Sequence, residues 1–170
     1  DSEYILRERV RKYTRGLGVE IPANLLLYDY TSVPRMQVAD PRGSHALIDI
    51  IERLGVEMVV LDTLSHLSDV DENAKQHMQP VMVGLRRVLG KTGVALVTTH
   101  HVAKPAGSGP ERSIAYKGRG SSSIPAAYEC IFDMGQQVDN VTTVQYKDKF
   151  GHGDRYNLVY DDSLDSEDII

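Results

Sequence analysis

The chain has 170 residues, of which 41% are hydrophobic, which is enough for one sizeable core and favours a single globular domain. A formal net charge of -5 excludes a surface that is basic throughout, and the single cysteine, Cys130, excludes an internal disulfide and fits a reducing cytosol. No apolar run approaches membrane-spanning length, so a cytoplasmic protein without a membrane partner is expected.

The first third of the chain predicts two helices with a strand between them. Apolar residues at helical spacing predict a first helix that starts near Ser2. Asn24–Tyr30 is a compact apolar run that predicts a strand. Ser44 is placed to cap a second helix, which Gly55 closes. The apolar positions of the two helices are Leu6, Val10, Tyr13 and Leu17, then Leu47, Ile48, Ile51 and Leu54.

The middle of the chain predicts a parallel strand, helix, strand unit. The strands are Val56–Asp62 and Val94–Thr99. A helical pattern covers residues 73–89 between them, with Pro80 as a kink or as a sign of a later start. Both strands are continuously apolar, which predicts burial on both faces of a parallel sheet with helices on either side. A right-handed crossover is expected to join them.

The last third predicts an antiparallel edge and a polar tail. After a Gly/Ser/Pro-rich loop from His101 to Pro125, three strands with short connections favour antiparallel pairing at one edge of the sheet. These strands are Tyr128–Met134, Val141–Tyr146 and Tyr156–Tyr160. Residues 161–170 carry five acids and are predicted to be a disordered tail. The predicted fold class is therefore α/β, a mainly parallel sheet flanked by helices.

Gly90-Lys91-Thr92 has the last three letters of an ATP phosphate-binding loop, but its surroundings do not fit one. That loop needs two glycines separated by four residues, followed by Lys and Ser/Thr, whereas five residues separate Gly84 from Gly90. A working loop also follows a strand and opens a helix, whereas Gly90 ends a helical pattern and precedes a strand. We therefore predict a helix C-cap and a turn.

Polar residues follow both central strands where the strands end. Asp62 ends the first, and Thr98, Thr99, His100 and His101 end the second. Because open α/β sheets bind ligands at the carboxyl ends of their strands, these residues are expected to meet in one crevice. Asp62 can hold Mg²⁺ through water, and one histidine can face a phosphate. The alternatives are a turn-forming aspartate and a metal site with both histidines, which adjacent strand positions disfavour because they point to opposite faces.

The order of several segments resembles the RecA-like ATPase core of plasmid replicative helicases of the RepA type, a group near the DnaB helicases. These segments are the apolar strand ending in Asp62, a helix, VALVTTHHVAK, KGRGSSSIPAAYECIFDM and VQYKDKFG. The resemblance spans residues 1–160. It implies a RecA-like ATPase domain with antiparallel strands at its C-terminal edge, and ATP and Mg²⁺ as cofactors.

The resemblance assigns roles to five residues. Asp62 corresponds to the Walker B aspartate and His100 to the sensor on the neighbouring strand, so Asp62, Thr99 and His100 are the expected nucleotide site. Lys147 and Lys149 match a KxRxG motif that reaches the nucleotide of the next subunit. Lys149 stands where the family has arginine, and lysine keeps the charge but loses the bidentate fork. Solvated lysines at the end of a hairpin are the alternative.

The loop after the second strand is basic. It carries four cations against one acid, Glu111; the cations are Lys104, Arg112, Lys117 and Arg119. Such a loop can follow the phosphate backbone of single-stranded DNA, and in RecA-like rings the corresponding loop lines the central channel. The resemblance therefore implies single-stranded DNA and a hexameric ring of identical chains as partners. An ordinary polar loop is the alternative.

The family begins with a strand, a GxxxxGK[ST] loop and a second strand that ends in a catalytic glutamate, and none of these is found in residues 1–170. We therefore expect a partial domain that binds ATP weakly on its own, with its first helix lying just after the position of that glutamate. Three other functions stay open. They are a RecA-like ATPase that is not a helicase, such as a recombinase or clock-type protein, a non-catalytic binding module, and a metal-dependent hydrolase.

Overall fold

The computed structural model describes residues 2–29, 36–67, 75–101, 124–135, 138–139 and 141–159. Its helices are α1 (Glu3–Gly16), α2 (Pro41–Leu54) and α3 (Lys75–Thr92). Its strands are β1 (Met58–Leu61), β2 (Ala95–Thr98), β3 (Cys130–Met134), β4 (Val141–Asp148) and β5 (Gly153–Val159). The predicted α/β class is confirmed, with β1 and β2 in a parallel sheet and the other strands in a second sheet of order β3-β4-β5.

The chain divides into two compact units. The smaller unit contains α1, the segment that follows it to residue 29, and residues at the far end of the β4–β5 hairpin. The larger unit contains α2, α3, β1, β2 and β3 together with Val144–Tyr156. Every buried core residue among those described, and every candidate site residue described below, belongs to the larger unit.

Helix α1 confirms the first predicted helix, but its amino end is held differently from the prediction. Ser2 is the N-cap residue, yet its side chain makes no capping hydrogen bond. The Glu3 N–H instead donates to Oδ2 of Asp29 at 2.8 Å, and Asp29 is only 7% exposed. A carboxylate from outside the helix therefore satisfies one of its first amides, and its charge is favourable at that end of the helix dipole.

The strand predicted over Asn24–Tyr30 is not formed in residues 24–29, and Tyr30 lies outside the described residues. Leu25 donates its N–H to the carbonyl of Pro22 at 3.0 Å in a turn, and the side chains of Leu25 and Leu26 are half exposed. An apolar run becomes a strand only when a neighbouring backbone pairs with it. In the described part of the chain, this run has no such ladder partner.

Helix α2 begins earlier than predicted. Asp40 is its N-cap and accepts the N–H of Arg42 at 2.8 Å, with Pro41 at the first helical position. That backbone bond is the main reason why the pKa of Asp40 lies below its ordinary value. The prediction that Ser44 caps the helix is wrong, because Ser44 is fully buried inside the first turns and accepts a hydrogen bond from Arg87 at 2.9 Å. The predicted end at Gly55 is confirmed by its left-handed φ of 62°.

Helix α3 continues to Thr92 with Pro80 inside it, and one of its glycines is in close contact with another segment. A Cβ atom placed on Gly84 would overlap the carbonyl oxygen of Val38 and lie 2.7 Å from its carbonyl carbon. Glycine therefore allows α3 to approach the backbone before α2. None of the described helices is long and apolar enough to cross a lipid bilayer.

The core of the larger unit lies between α2, α3 and one face of the parallel sheet. Its fully buried apolar residues include Val38, Leu64, Met78, Val81 and Val88. Val59, Leu61 and Leu96 pack against these residues from the sheet. The prediction that both strands are buried on both faces is wrong for the described structure, since Met58, Val60 and Val97 are 59%, 59% and 45% exposed. A continuous apolar run cannot distinguish one covered face from two, because it presents apolar residues to both.

The predicted antiparallel pairing is confirmed, and among the described residues β3, β4 and β5 form their own sheet. Its β3–β4 register pairs Cys130 with Asp148 and Met134 with Val144. Strand β4 extends two residues further than predicted and therefore contains Lys147. The predicted tail, residues 161–170, lies outside the described residues.

Candidate functional site

The parallel register brings Asp62 and Thr99 side by side. Leu61 pairs with Thr98 at the end of the ladder, and the Thr99 N–H donates to the carbonyl of Leu61 at 3.1 Å. One residue further along each strand, the Thr99 hydroxyl donates to Oδ1 of Asp62. Two of the three expected nucleotide-site residues are thus in contact at the carboxyl edge of the sheet, where α/β proteins bind ligands.

The turn after Asp62 is anchored back to the same edge. Leu64 is fully buried and donates its N–H to the carbonyl of Thr99 at 2.9 Å. The hydroxyls of Thr63 and Ser65 lie 2.5 Å apart, and the peptide bond between Asp62 and Thr63 is cis. The turn therefore has its backbone fixed by the core while its oxygen-bearing side chains stay near the strand end.

Tyr128 joins this edge from a distant part of the chain. Its hydroxyl lies 2.5 Å from Oγ1 of Thr98, the last residue of β2. The side chain is half-buried, and burial raises the pKa of Tyr128 above its ordinary value, although the hydrogen bond to Thr98 offsets part of the rise. This contact was not predictable from the sequence, because no local pattern connects a tyrosine that precedes a strand with a partner thirty residues away.

The two histidines that follow Thr99 differ in solvent exposure. His101 is exposed and His100 is half-buried. Among the described residues, no group of three His, Cys, Asp or Glu side chains is arranged to hold a metal ion. The geometry therefore does not bring Asp62 and both histidines together as a set of ligands, which weakens the metal-dependent hydrolase alternative.

Gly90-Lys91-Thr92 lies in the last turn of α3, which confirms the prediction of a helix C-terminus in place of a phosphate loop, but the predicted cap at Gly90 is wrong because the helix continues to Thr92. The Thr92 hydroxyl donates to the carbonyl of Val88 at 2.9 Å and accepts the N–H of Val94 at 3.3 Å. Gly93 follows with a left-handed φ of 65° and turns the chain into β2.

The two candidate lysines of the hairpin are in different environments. Lys149 forms an ion pair with the carboxylate of Glu129, and its N–H donates to the Glu129 carbonyl at 2.9 Å. Its ammonium also lies 5.3 Å from the ring centroid of Phe150. Lys147 is exposed on β4, and among the described residues no hydrogen bond or ion pair holds its ammonium. Nothing in the sequence pattern indicated Glu129 as a partner.

Asp148 organises the turn between these strands. Its carboxylate accepts the N–H groups of Phe150 and His152, each at 2.9 Å, and pairs with Nδ1 of His152 at the same distance. Burial by itself raises the pKa of Asp148, but the hydrogen bonds from His152 and Phe150 prevail and hold it below its ordinary value. The motif Lys147–Gly151 is therefore a rigid turn built on an ionised aspartate.

None of the described contacts joins the hairpin lysines to Asp62 or Thr99. The four cations proposed for nucleic acid lie outside the described residues, so their roles stay predictions; they are Lys104, Arg112, Lys117 and Arg119.

The donors at the strand end fit a magnesium ion held through water. Asp62 is exposed, and among the described residues it accepts one hydrogen bond, from Thr99, so its carboxylate keeps acceptor capacity for a hydrated cation. The neighbouring hydroxyls of Thr63 and Ser65 are also hard oxygen donors. Among the described residues, no contact joins a lysine or arginine to Asp62 or Thr99.

Comparison with known proteins agrees with this architecture. The sequence profile of the family described as AAA domain matches residues 1–107, which include α1 to α3, both parallel strands, Asp62 and Thr99. No curated protein matches the chain. The match covers 107 of the 170 residues. The chain belongs to the AAA domain family of ATPase-type proteins.

Proposed function

We propose that the chain is the C-terminal part of a RecA-like ATPase domain from a ring-forming motor of the replicative-helicase type. In this proposal ATP hydrolysis in the complete protein moves single-stranded DNA. The observation that carries the proposal is the contact between Thr99 and Asp62 at the carboxyl ends of two adjacent parallel strands. Membership in the AAA domain family supports ATPase chemistry in general. The helicase function rests on the order of the sequence motifs.

Asp62 is the proposed magnesium-binding carboxylate, acting through bound water. A bound Mg²⁺ neutralises the charge of the nucleotide phosphates and orients them. Thr99 orients the Asp62 carboxylate by donating a hydrogen bond from its hydroxyl to Oδ1. The other carboxylate oxygen is then left for the hydrated ion. His100, next along the chain, is the proposed sensor that faces the phosphates.

The remaining proposed roles concern partners. Lys147 and Lys149 are proposed to act on the nucleotide of an adjacent copy in a hexameric ring. The basic loop with Lys104, Arg112, Lys117 and Arg119 is proposed to follow the backbone of single-stranded DNA. Of the two hairpin lysines, Lys147 is better placed for a trans-acting role, because Glu129 neutralises Lys149.

Paramagnetic relaxation with Mn²⁺ tests the metal role without requiring tight nucleotide binding. Mn²⁺ replaces Mg²⁺ at oxygen sites and broadens the amide signals of nearby residues. Titration of the chain with Mn²⁺ and ATP is expected to broaden Thr63, Ser65 and Thr99 first. Asp62→Asn, which keeps the shape of the side chain and removes its charge, is expected to abolish that broadening.

Asp49→Asn is the matched control, since Asp49 is an exposed aspartate on α2 away from the strand ends. It is expected to leave the pattern unchanged. Broadening that is equal in wild type and Asp62→Asn would contradict the proposed metal role. Broadening that needs Asp62 but does not change when ATP is omitted would favour a simple cation site and count against the nucleotide function.

A further inference from the structure

We propose that Lys147 and Arg155 form a binding site for a terminal phosphate group on one face of the β4–β5 hairpin. The two side chains line an open concavity of about 420 Å³, together with Gln145, Tyr146, Gly151, Gly153 and Asp154. Arg155 lies outside the sequence segments that resemble the RecA-like ATPase core. The inference rests on the proposed function only for the identity of the natural ligand as a nucleotide.

Strand alternation places the two cations on the same face. Gln145 and Lys147 are two residues apart on β4 and therefore point to the same side of the sheet. With its amide oxygen turned toward β5, Gln145 accepts hydrogen bonds from Arg155, at 3.0 Å from Nε and also from Nη2. That contact requires Arg155 to share the face of Gln145, and hence that of Lys147.

Gly153 leaves the space between the cations open. It lies across from Lys147 on the returning strand, since a Cβ atom at residue 153 would lie 3.7 Å from Cα of Lys147. The same atom would lie 2.7 Å from the carbonyl oxygen of Tyr146, so the close approach of the strands requires glycine. The position between Lys147 and Arg155 therefore carries no side chain that would fill the concavity.

The charges around this face favour an anion. Gln145 fixes the Arg155 guanidinium without neutralising it, and among the described residues no acid pairs with Lys147. Asp154 also lines the concavity, but its carboxylate accepts the N–H of Arg155 at 2.8 Å and the hydroxyl of Tyr156, which holds it beside its own strand. Asp133 pairs with Gln145 in the β3–β4 register, so it is the acidic residue that borders the proposed site on the side of β3.

The two positive charges of Lys147 and Arg155 indicate which class of anion the site prefers. A terminal phosphate carries about -1.5 to -2 charges at neutral pH, which matches two cations, whereas a phosphodiester carries one. Arginine adds a planar fork that accepts two phosphate oxygens. The site should therefore prefer the end of a polyphosphate or nucleotide over the backbone of a nucleic acid.

The test is a calorimetric and NMR titration of the chain with sodium tripolyphosphate at low ionic strength and without Mg²⁺. The expected result is saturable binding with shifts at Lys147, Gly153 and Arg155. Arg155→Gln and Lys147→Gln should each weaken binding about tenfold or more, as expected for a lost charge-assisted hydrogen bond. Arg155→Lys should lie between wild type and Arg155→Gln, because it keeps the charge without the fork.

Lys91→Gln is the matched control, since it removes one positive charge from an exposed lysine in the last turn of α3, outside the hairpin. It should change the affinity by less than about twofold. Equal weakening by Lys91→Gln and Arg155→Gln would show diffuse attraction and overturn the site, as would the absence of binding at millimolar tripolyphosphate. Equal or tighter binding of an oligothymidylate without terminal phosphates would overturn the ligand class. Asp62→Asn should leave tripolyphosphate binding unchanged, so failure of this site and failure of the proposed magnesium role are separate outcomes.

Discussion

The hydroxyl of Thr99 donates a hydrogen bond to the carboxylate of Asp62 across the ends of β1 and β2, and both side chains are exposed. A hydrogen bond to a charged group in this setting makes a small contribution to stability, because water competes for both partners. The contact therefore fixes the direction of the carboxylate more than it stabilises the fold.

Replacing Thr99 separates these two effects. Thr99→Val removes the donor and keeps the shape, and it is expected to lower the free energy of unfolding by at most about 1 kcal/mol in a urea titration. It should nevertheless weaken the Asp62-dependent Mn²⁺ broadening, because the carboxylate loses its orientation. Thr99→Ser keeps the hydroxyl and should retain the broadening. A loss of several kcal/mol in Thr99→Val would mean that the contact holds the strand ends together.

The contact of Gly84 with Val38 predicts a large effect from one methyl group. Gly84→Ala introduces a Cβ atom that overlaps the Val38 carbonyl, so α3 or the segment before α2 must move. The expected cost is about 1–3 kcal/mol of unfolding free energy, as for other overpacked sites. Thermal and urea unfolding followed by circular dichroism measure it.

Gly90→Ala is the control on the same helix. Gly90 has nothing within 4 Å of an added Cβ atom. Alanine also favours a helix over glycine, so this variant is expected to gain about 0.5–1 kcal/mol. Opposite signs for the two substitutions would confirm the close approach at Val38. A gain in both would show that α3 does not contact that backbone.

The sequence predicted the elements whose signals are local. The helical spacing of α2 and α3, the closing glycine of α2, the two parallel strands and the antiparallel pairing are confirmed in type, whereas Gly93 and not Gly90 ends α3. Ser44 failed as a cap because Asp40, four residues earlier, offers the same chemistry before a proline. Residues 24–29 failed as a strand because pairing depends on a partner that a local pattern does not contain.

The site was predictable in part for the same reason. Asp62 and Thr99 end neighbouring strands of a parallel unit, so the sheet itself brings them together. Tyr128, Glu129 and Arg155 were missed, because their partners are set by tertiary packing and by the register of the hairpin. Lys149 can be identified from its sequence motif, whereas no sequence motif identifies Glu129, the glutamate that neutralises it.

The raised pKa of Tyr128 predicts a loss of stability at alkaline pH. Because burial raises its pKa in the folded chain, the folded state holds the phenol proton more tightly than the unfolded state. The resulting contribution is complete below the unfolded pKa of about 10 and is lost as the pH rises through the folded value. Tyr128→Phe should remove this alkaline step and cost about 0.5–1.5 kcal/mol at neutral pH, because Thr98 loses its partner.

Unfolding free energies measured between pH 8 and 11 test this expectation. Tyr13→Phe is the control, since Tyr13 is 66% exposed on α1. It should leave the alkaline slope unchanged. An alkaline slope that is the same in wild type and Tyr128→Phe would contradict the burial of this phenol beside Thr98.

The lowered pKa of Asp148 predicts a loss of stability in acid. Its folded pKa lies below the ordinary value of about 3.9, because the hydrogen bonds from His152 and Phe150 outweigh the effect of burial. A depressed pKa means that the unfolded state takes up the proton first as the pH falls. The contribution of Asp148 is therefore complete above about pH 4 to 5 and is lost below that range, as the pH falls through the folded value.

Asp148→Asn should thus reduce stability near neutral pH and flatten the acid limb, so that the difference between wild type and variant shrinks as the pH falls through the folded pKa of Asp148. The reason is structural, since the neutral amide no longer holds the N–H groups of the turn and the ring of His152 with the same strength. Amide hydrogen exchange at Phe150 and His152 gives a local readout, which should accelerate in the variant. Asp49→Asn on the exposed face of α2 should show neither change. If the acid limb persists unaltered in Asp148→Asn while exchange at Phe150 stays slow, the turn is held by its backbone conformation and not by this carboxylate.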